Sequence, residues 1–124
     1  MDGSDFLVDT NILIYGLEGS SDTVLSILNC SIAVSIISEI ELLGKKNITS
    51  EEVTVIQNLL NDCTIIDLND KIKQIAIRLI QIYSLKVPDA IIAASSIYTG
   101  LPFVSCDTAF KKVKELDLVH VSLY

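Results

Sequence analysis

The stretch DFLVDTNILIYGL, residues 5–17, changes from a short apolar run to a helical pattern across one acidic residue. Residues 5–8 predict a buried strand that ends at Asp9, and residues 11–17 predict a helix. A strand that leads directly into a helix is the repeating unit of parallel α/β sheets. The fold class therefore depends on whether the rest of the chain repeats this unit.

Strands and helices continue to alternate along the chain. Apolar runs predict further strands at residues 32–36, 64–66, 101–105 and, as an edge strand, 119–121. Capping residues and apolar spacings of three and four predict helices at residues 20–30, 38–44, 49–61, 72–83, 89–98 and 108–116. We therefore predict a single domain over residues 1–124. Its fold would be a three-layer α/β/α sandwich around a mainly parallel, twisted sheet of four to five strands.

The composition agrees with a packed domain. Half of the 124 residues are hydrophobic and the mean hydropathy is +0.52, so the chain can bury a sizeable core. No apolar run approaches the roughly 18 to 20 residues of a membrane helix. The first five residues are acidic where a secretory signal would be basic, which predicts a cytoplasmic protein without a membrane partner. Cys30, Cys63 and Cys106 form no C-x-x-C pair and are expected to be buried, reduced thiols.

The charge excludes some functions and leaves others open. A net charge of −7 argues against broad, salt-driven binding of nucleic acid, although a carboxylate metal site would itself contribute negative charge. His120 is the only histidine and lies in an apolar C-terminal run, where a packing or surface role is expected. Catalysis by histidine and a serine triad are therefore disfavoured. The glycine-rich loops of nucleotide-binding proteins are also missing from the sequence.

Several carboxylates are predicted to meet at one edge of the sheet. Asp9 and Asp107 each follow a strand candidate closely, and Glu41 lies a few residues beyond another. The carboxyl ends of parallel strands share one edge, where ligands of open sheets bind. Oxygen ligands alone suit Mg²⁺ or Mn²⁺. Each acid also has a structural explanation, because Asp9 and Asp107 could cap helices, Glu41 could complete a capping box with Ser38, and Asp89 suits a helix N-terminus.

Four segments resemble a known family. They are Val8–Asn11 (VDTN), Ser38–Leu43 (SEIELL), Pro88–Ala94 (PDAIIAA) and Ser105–Phe110 (SCDTAF), and they follow one another in the order seen in PIN-domain ribonucleases. Within that family the chain is similar to VapC-type toxins of bacterial type II toxin–antitoxin pairs. Each motif alone is weakly specific, but the four together cover almost the whole chain.

The resemblance implies a metal-dependent endoribonuclease that hydrolyses RNA with a metal-activated water, together with a cognate antitoxin protein as partner. It assigns Asp9, Glu41, Asp89 and Asp107 as metal ligands, which together with Asn11 and Ser105 would form the catalytic set. Asn11 would orient Asp9 or a bound water, and the Ser105 hydroxyl would hold a neighbouring carboxylate. Thr10 is interpreted as the start of a helix. Glu39 competes with Glu41, but two positions on a helix point about 200° apart, so only one can face the site.

Several alternatives stay open at this point. Many relatives carry a further acid where this chain has Ala109, which favours one metal over two. A PIN-like interaction module in RNA processing, with weak or no catalysis, is the rival function. A phosphatase with Asp9 as the nucleophile fits less well, because Asn11 stands where its second Asp would be. The apolar helix faces near Ser21 and after Ile37 could receive an antitoxin segment, or they could be buried within the monomer or a homodimer.

Overall fold

The computed structural model describes residues 3–19 and 21–122. Its strands are β1 (Phe6–Val8), β2 (Ile32–Ser35), β3 (Thr64–Ile66), β4 (Phe103–Ser105) and β5 (Leu118–His120). Its α-helices are α1 (Thr10–Glu18), α2 (Asp22–Leu28), α3 (Ile36–Leu43), α4 (Ser50–Asn61), α5 (Asp70–Tyr83) and α6 (Val87–Thr99). A 3₁₀-helix spans Thr108–Lys112. The prediction of an α/β domain with alternating elements is confirmed.

The five strands form one parallel sheet in the order β3-β2-β1-β4-β5. Strands β1, β2 and β3 lie side by side in chain order, and β4 then pairs with the other side of β1. Strand order therefore reverses between β1 and β4. At such a reversal the loops leaving the two strands diverge and open a crevice at their carboxyl ends, where ligands of open sheets bind.

Residues that alternate along the strands divide the core into two layers. Leu7, Ala33 and Phe103 point to the layer that is covered by α5 and α6. Val8, Val34 and Val104 point to the opposite layer, which is covered by α1 to α4. This is the three-layer arrangement expected from the sequence, because a sheet buried on both faces needs apolar residues at successive positions. Within the described ranges, no helix is both long and apolar enough to cross a membrane.

Helix starts follow local capping chemistry. Thr49 and Glu52 form the predicted capping box of α4, each side chain bonding to the other's backbone N–H. The capping box that was expected between Ser38 and Glu41 is wrong. Helix α3 begins earlier, at Ile36, and is capped by the Ser35 hydroxyl, so residue 36 belongs to the helix and not to the strand.

Three further expectations need correction. The helix predicted over residues 108–116 is a 3₁₀-helix that ends at Lys112, and its short 3₁₀ form is usual for a connector. The helix predicted at 20–30 spans Asp22–Leu28, and residue 20 lies outside the described residues. Cys30 is exposed, while Cys63 and Cys106 are only half-buried, although all three thiols are free as expected.

Candidate active site

Asp9 lies at the carboxyl end of β1, at the point where the strand order reverses towards β4. It directly follows β1, and its backbone N–H donates to the Val104 carbonyl at 2.9 Å, which continues the pairing of the two strands. Its side chain caps α1 by accepting from the backbone N–H of Thr10 at 2.8 Å. The residue is only 5% exposed. The capping role expected for Asp9 is therefore real, but capping alone does not require a buried carboxylate.

Ser105 holds the second oxygen of Asp9. The fully buried Ser105 hydroxyl donates to Asp9 Oδ2 at 2.8 Å and accepts from the backbone N–H of Asp107 at 3.0 Å. Asp107 in turn caps the 3₁₀-helix, since its Oδ1 accepts from the backbone N–H of Ala109 at 2.9 Å. The proposed contact between Ser105 and a neighbouring carboxylate is present. A single hydroxyl thus links the acids that follow β1 and β4.

Glu41 reaches the site from α3 through Thr10. The Thr10 hydroxyl donates to Glu41 Oε1 at 2.7 Å, and it also lies 2.8 Å from the hydroxyl of Ser38, which is fully buried. Glu39, two positions away on the same helix, makes no hydrogen bond to these residues. From the sequence, Thr10 is interpreted only as the start of a helix and Ser38 only as a helix cap. The signals that could have identified them are the position of Thr10 next to Asp9 and the Ser38–Glu41 spacing of one helical turn.

The acids act on one another electrostatically. The pKa of Asp9 is raised from 3.8 to about 6, mainly by burial and also by the charges of Asp89 and Asp107, while the hydrogen bonds from Ser105 and Thr10 oppose this rise. Asp89 lies in the first turn of α6 and is half-buried. Burial is the main cause that raises the pKa of Asp89, and the charges of Asp107 and Glu41 add to it. All four predicted acids therefore lie within electrostatic reach of the same crevice.

The charge of this cluster is not neutralised by the protein. The ion pairs found in residues 3–19 and 21–122, Lys45 with Glu52 and Lys73 with Asp70, involve none of the four acids. Lys86 lowers the pKa of Asp89, but its effect is smaller than the effects of burial, Asp107 and Glu41, which raise it. A cation supplied from solution would relieve this repulsion.

The oxygen donors fit Mg²⁺ or Mn²⁺ better than a softer metal. Cys106 lies between Ser105 and Asp107, but burial and the charge of Asp9 raise the pKa of its thiol, which disfavours the thiolate that binds soft metals. In the described part of the chain, no group of three or more His, Cys, Asp or Glu side chains is arranged to enclose a metal ion. Mg²⁺ does not need such a cage, since it keeps several waters and is held by one or two carboxylates plus phosphate.

Asn11 and His120 lie outside this network. Asn11 is exposed on the first turn of α1, and its side chain forms no hydrogen bond with the other described residues. His120 pairs in register with Ser105 on the neighbouring strand, and its buried Nδ1 has no hydrogen-bond partner in the described structure. The orienting role expected for Asn11 remains a prediction.

A groove adjoins the site on the side of α1, α3 and α4. Its volume is about 350 Å³, and its apolar lining consists of Ile14, Leu17, Leu42 and Ile56. Glu41 also lines it, so the groove and the acidic cluster share a residue. Ile14 is 38% exposed, which leaves an apolar surface open next to the carboxylates.

Comparison with known proteins identifies the family. The family model of the PIN domain matches residues 6–116, which include strands β1 to β4 and all four acids. The chain therefore belongs to the PIN domain family, as its sequence resemblance predicted. Proteins of this family are nucleases, and an acidic crevice suits that activity. Among curated proteins, no sequence matches the chain.

Solved structures add a more particular likeness. A chain of a toxin-antitoxin complex from Klebsiella pneumoniae is 28% identical, with a TM-score of 0.77 over 92% of this chain and 95% of that chain. A chain of VapBC2 from Rickettsia felis, bound to a DNA fragment from its promoter, is 22% identical with a TM-score of 0.82 over 94% and 98%. A chain of DNA-bound VapBC from Salmonella typhimurium is 16% identical with a TM-score of 0.84, again over 94% and 98%. Within the family, the chain is thus similar to chains of VapBC complexes.

Proposed function

We propose that this protein is a Mg²⁺- or Mn²⁺-dependent endoribonuclease and the toxin of a toxin–antitoxin pair. The observation that carries the proposal is the environment of the Asp9 carboxylate. Its carboxylate is buried at a sheet edge, held at both oxygens by Thr10 and Ser105, and near other acids that form no ion pair with a basic side chain of the described residues. A helix cap needs only one of these contacts, whereas a metal ligand benefits from all of them.

The acids of the site are assigned to metal binding, and Ser105 is assigned to positioning. Asp9, Glu41, Asp89 and Asp107 would hold the ion, one or two of them directly and the others through its bound waters. The bound ion would act as a Lewis acid that activates water and stabilises the negative charge developing on the phosphodiester. Ser105 fixes the orientation of Asp9, and burial keeps bulk water from screening the carboxylate. Because the negatively charged acids repel one another, the binding of a cation among them is favoured.

The end groups of the products test this chemistry. Attack by water on phosphorus leaves a 5′-phosphate and a 3′-hydroxyl, whereas attack by the ribose 2′-hydroxyl leaves a 2′,3′-cyclic phosphate. Cleavage of a 5′-labelled RNA followed by mobility and ligation analysis separates the two outcomes. Cyclic phosphate ends would contradict the proposal.

The groove is proposed as the antitoxin site. Its apolar lining next to Glu41 would accept the apolar face of a partner segment, and a basic residue of that segment would meet the acidic cluster. The complex from Klebsiella pneumoniae, which contains a similar chain, supports a partner of this kind. A homodimer is the competing occupant.

Ile14→Glu tests the groove, because Ile14 is exposed and the change should leave the fold intact. We expect the wild type to co-purify with the protein encoded beside it and the variant to lose that partner while keeping nuclease activity. The variant should then inhibit bacterial growth even when the partner is co-expressed. A wild type that elutes alone and is harmless when overexpressed would contradict the toxin role, and a dimer that Ile14→Glu dissociates would assign the groove to a second copy.

One observation favours the rival function of a catalytically weak interaction module. The position before Phe110 is Ala109, and the part of the chain that the structure describes contains no group of three or more His, Cys, Asp or Glu side chains arranged to enclose a metal ion. The rival predicts RNA binding that does not depend on divalent ions and no cleavage at any Mg²⁺ concentration.

A further inference from the structure

Thr10 contacts two acids of the site through different parts of the same residue. Its backbone N–H donates to Asp9 Oδ1 at 2.8 Å, and its side-chain hydroxyl donates to Glu41 Oε1 at 2.7 Å. The first contact follows from the start of α1, while the second reaches a helix that is 31 residues away in sequence. One residue therefore fixes one oxygen of each carboxylate.

The direction of the protons can be assigned from the donors present. An ionised carboxylate only accepts, and a hydroxyl has a single proton, so the Thr10 proton is committed to Glu41. The contact of 2.8 Å between Thr10 and Ser38 then requires the Ser38 hydroxyl to donate. The result is a chain from Ser38 through Thr10 to Glu41, in which each bond polarises the next.

This chain has a consequence for Glu41. The residue is exposed on α3, and a glutamate in that situation samples many rotamers in solution. A charge-assisted hydrogen bond from a residue that is only 9% exposed removes much of this freedom. Thr10 uses one of the acceptor sites of Oε1, while Oε2 accepts no hydrogen bond from the residues that the structure describes, so Oε2 is the less occupied oxygen for a ligand. Ser38 is fully buried and one helical turn before Glu41, so it supports this arrangement from the same helix.

We propose that Thr10 is a positioning residue that sets the separation of the Asp9 and Glu41 carboxylates, and that Ser38 directs the Thr10 proton onto Glu41. The inference rests on the proposed metal-dependent nuclease for its functional meaning. Its structural content does not, because the order of the Glu41 side chain can be measured without metal or RNA.

The variants separate the hydroxyl from the rest of the side chain. Thr10→Val keeps the shape and removes the hydroxyl, Thr10→Ser keeps the hydroxyl, and Ser38→Ala removes the support without altering Thr10. Thr54→Val is the matched control, since Thr54 is an exposed helical threonine whose hydroxyl donates only to the Ser50 carbonyl.

The first readout is the rotamer distribution of Glu41 in the metal-free protein, measured from side-chain couplings by NMR. We expect one dominant rotamer in the wild type and in Thr10→Ser, and averaging in Thr10→Val. Ser38→Ala should show partial averaging, and it provides the answer if Thr10→Val does not fold. Equal averaging in the wild type and in the variants would overturn the proposal.

The second readout is the affinity for Mg²⁺, measured from the increase of Tm with metal concentration. Thr10→Val should weaken binding by about tenfold, as is typical when the partner of a metal ligand is lost. In a Glu41→Ala background the same change should cost less than about twofold, because residues that act as a unit are not additive. An equal loss in both backgrounds would show that Thr10 does not act through Glu41. A wild type with no response to Mg²⁺ would refute the proposed function, and the rotamer measurement would still decide the role of Thr10.

Discussion

Asp9→Asn should increase the stability of the metal-free protein at neutral pH. Burial, opposed in part by two hydrogen bonds, raises the pKa of Asp9 from 3.8 to about 6. Since each pKa step of one corresponds to about 1.4 kcal/mol, the ionised form of Asp9 costs the fold about 3 kcal/mol at pH 7. The variant removes this cost and can still cap α1, because Asn is about as good a cap as Asp.

One contact reduces the gain. The amide nitrogen of the variant would face the Ser105 hydroxyl, whose proton then loses its acceptor, at a cost of about 1 kcal/mol. The net stabilisation is therefore about 2 kcal/mol at pH 7, which corresponds to roughly 6–10 °C in Tm for a domain of this size.

The stability difference between Asp9→Asn and the wild type should depend on pH, in a direction that follows from the raised pKa of Asp9. Because the folded pKa of Asp9 lies above the unfolded one, the folded protein binds the proton more tightly, and the stability contributed by that proton is lost as the pH rises from about 4 to 6. The variant has no such proton. Its stability relative to the wild type should thus increase by about 2.5 kcal/mol between pH 4 and pH 7, from slightly less stable to clearly more stable.

Denaturant unfolding in EDTA at a series of pH values measures this difference. Asp67→Asn is the matched control, because Asp67 also accepts from the backbone N–H of the next residue but is exposed. The control should change stability by less than about 0.5 kcal/mol at every pH. An Asp9→Asn variant that is destabilised at pH 7, or whose difference from the wild type does not vary with pH, would refute the reasoning.

Three further predictions concern the neighbours of this site. Ser105→Ala removes a donor that lowers the pKa of Asp9, so the pKa should rise above its present value of about 6, detected by NMR titration, with an activity loss of about tenfold or more. Glu41→Gln should reduce RNA cleavage by at least about tenfold, while Glu39→Gln on the same helix should stay within about twofold, and equal effects would contradict the assignment of Glu41. Thr49→Ala removes a capping box that makes no hydrogen bond to the four acids, and it should lower stability by about 1 kcal/mol in thermal unfolding without altering cleavage by the folded protein.

Local chemistry explains which elements could be predicted from the sequence. Helix α4 was predicted almost to the residue, because its capping box and its end are encoded within the segment itself. The start of α3 was missed because Ser35 and Ser38 are equally good caps in sequence. In the structure the Ser38 hydroxyl contacts Thr10 and not a helix N–H, and that contact joins residues 28 positions apart.

The same distinction applies to the site. The topology of parallel strands predicts that Asp9 and Asp107 share an edge, and the structure places Ser105 between them as expected. The link from Thr10 to Glu41 could not be predicted, because it depends on how α1 and α3 pack and not on any local pattern. The exposed position of Cys30 was also missed, because Cys30 lies in the connection between α2 and β2, where the local sequence does not determine which side chains meet the core.

The most direct test of the central claim is RNA cleavage by the purified protein as a function of Mg²⁺ concentration. Wild type and Asp9→Asn should be compared on the same RNA, with Glu39→Gln purified in parallel to exclude a contaminating nuclease. We expect no cleavage in EDTA, saturable cleavage by the wild type and by Glu39→Gln with added Mg²⁺, and a loss of at least about two orders of magnitude in Asp9→Asn. Cleavage that persists in EDTA, or that Asp9→Asn retains at near wild-type rates, would contradict a metal-dependent nuclease centred on Asp9.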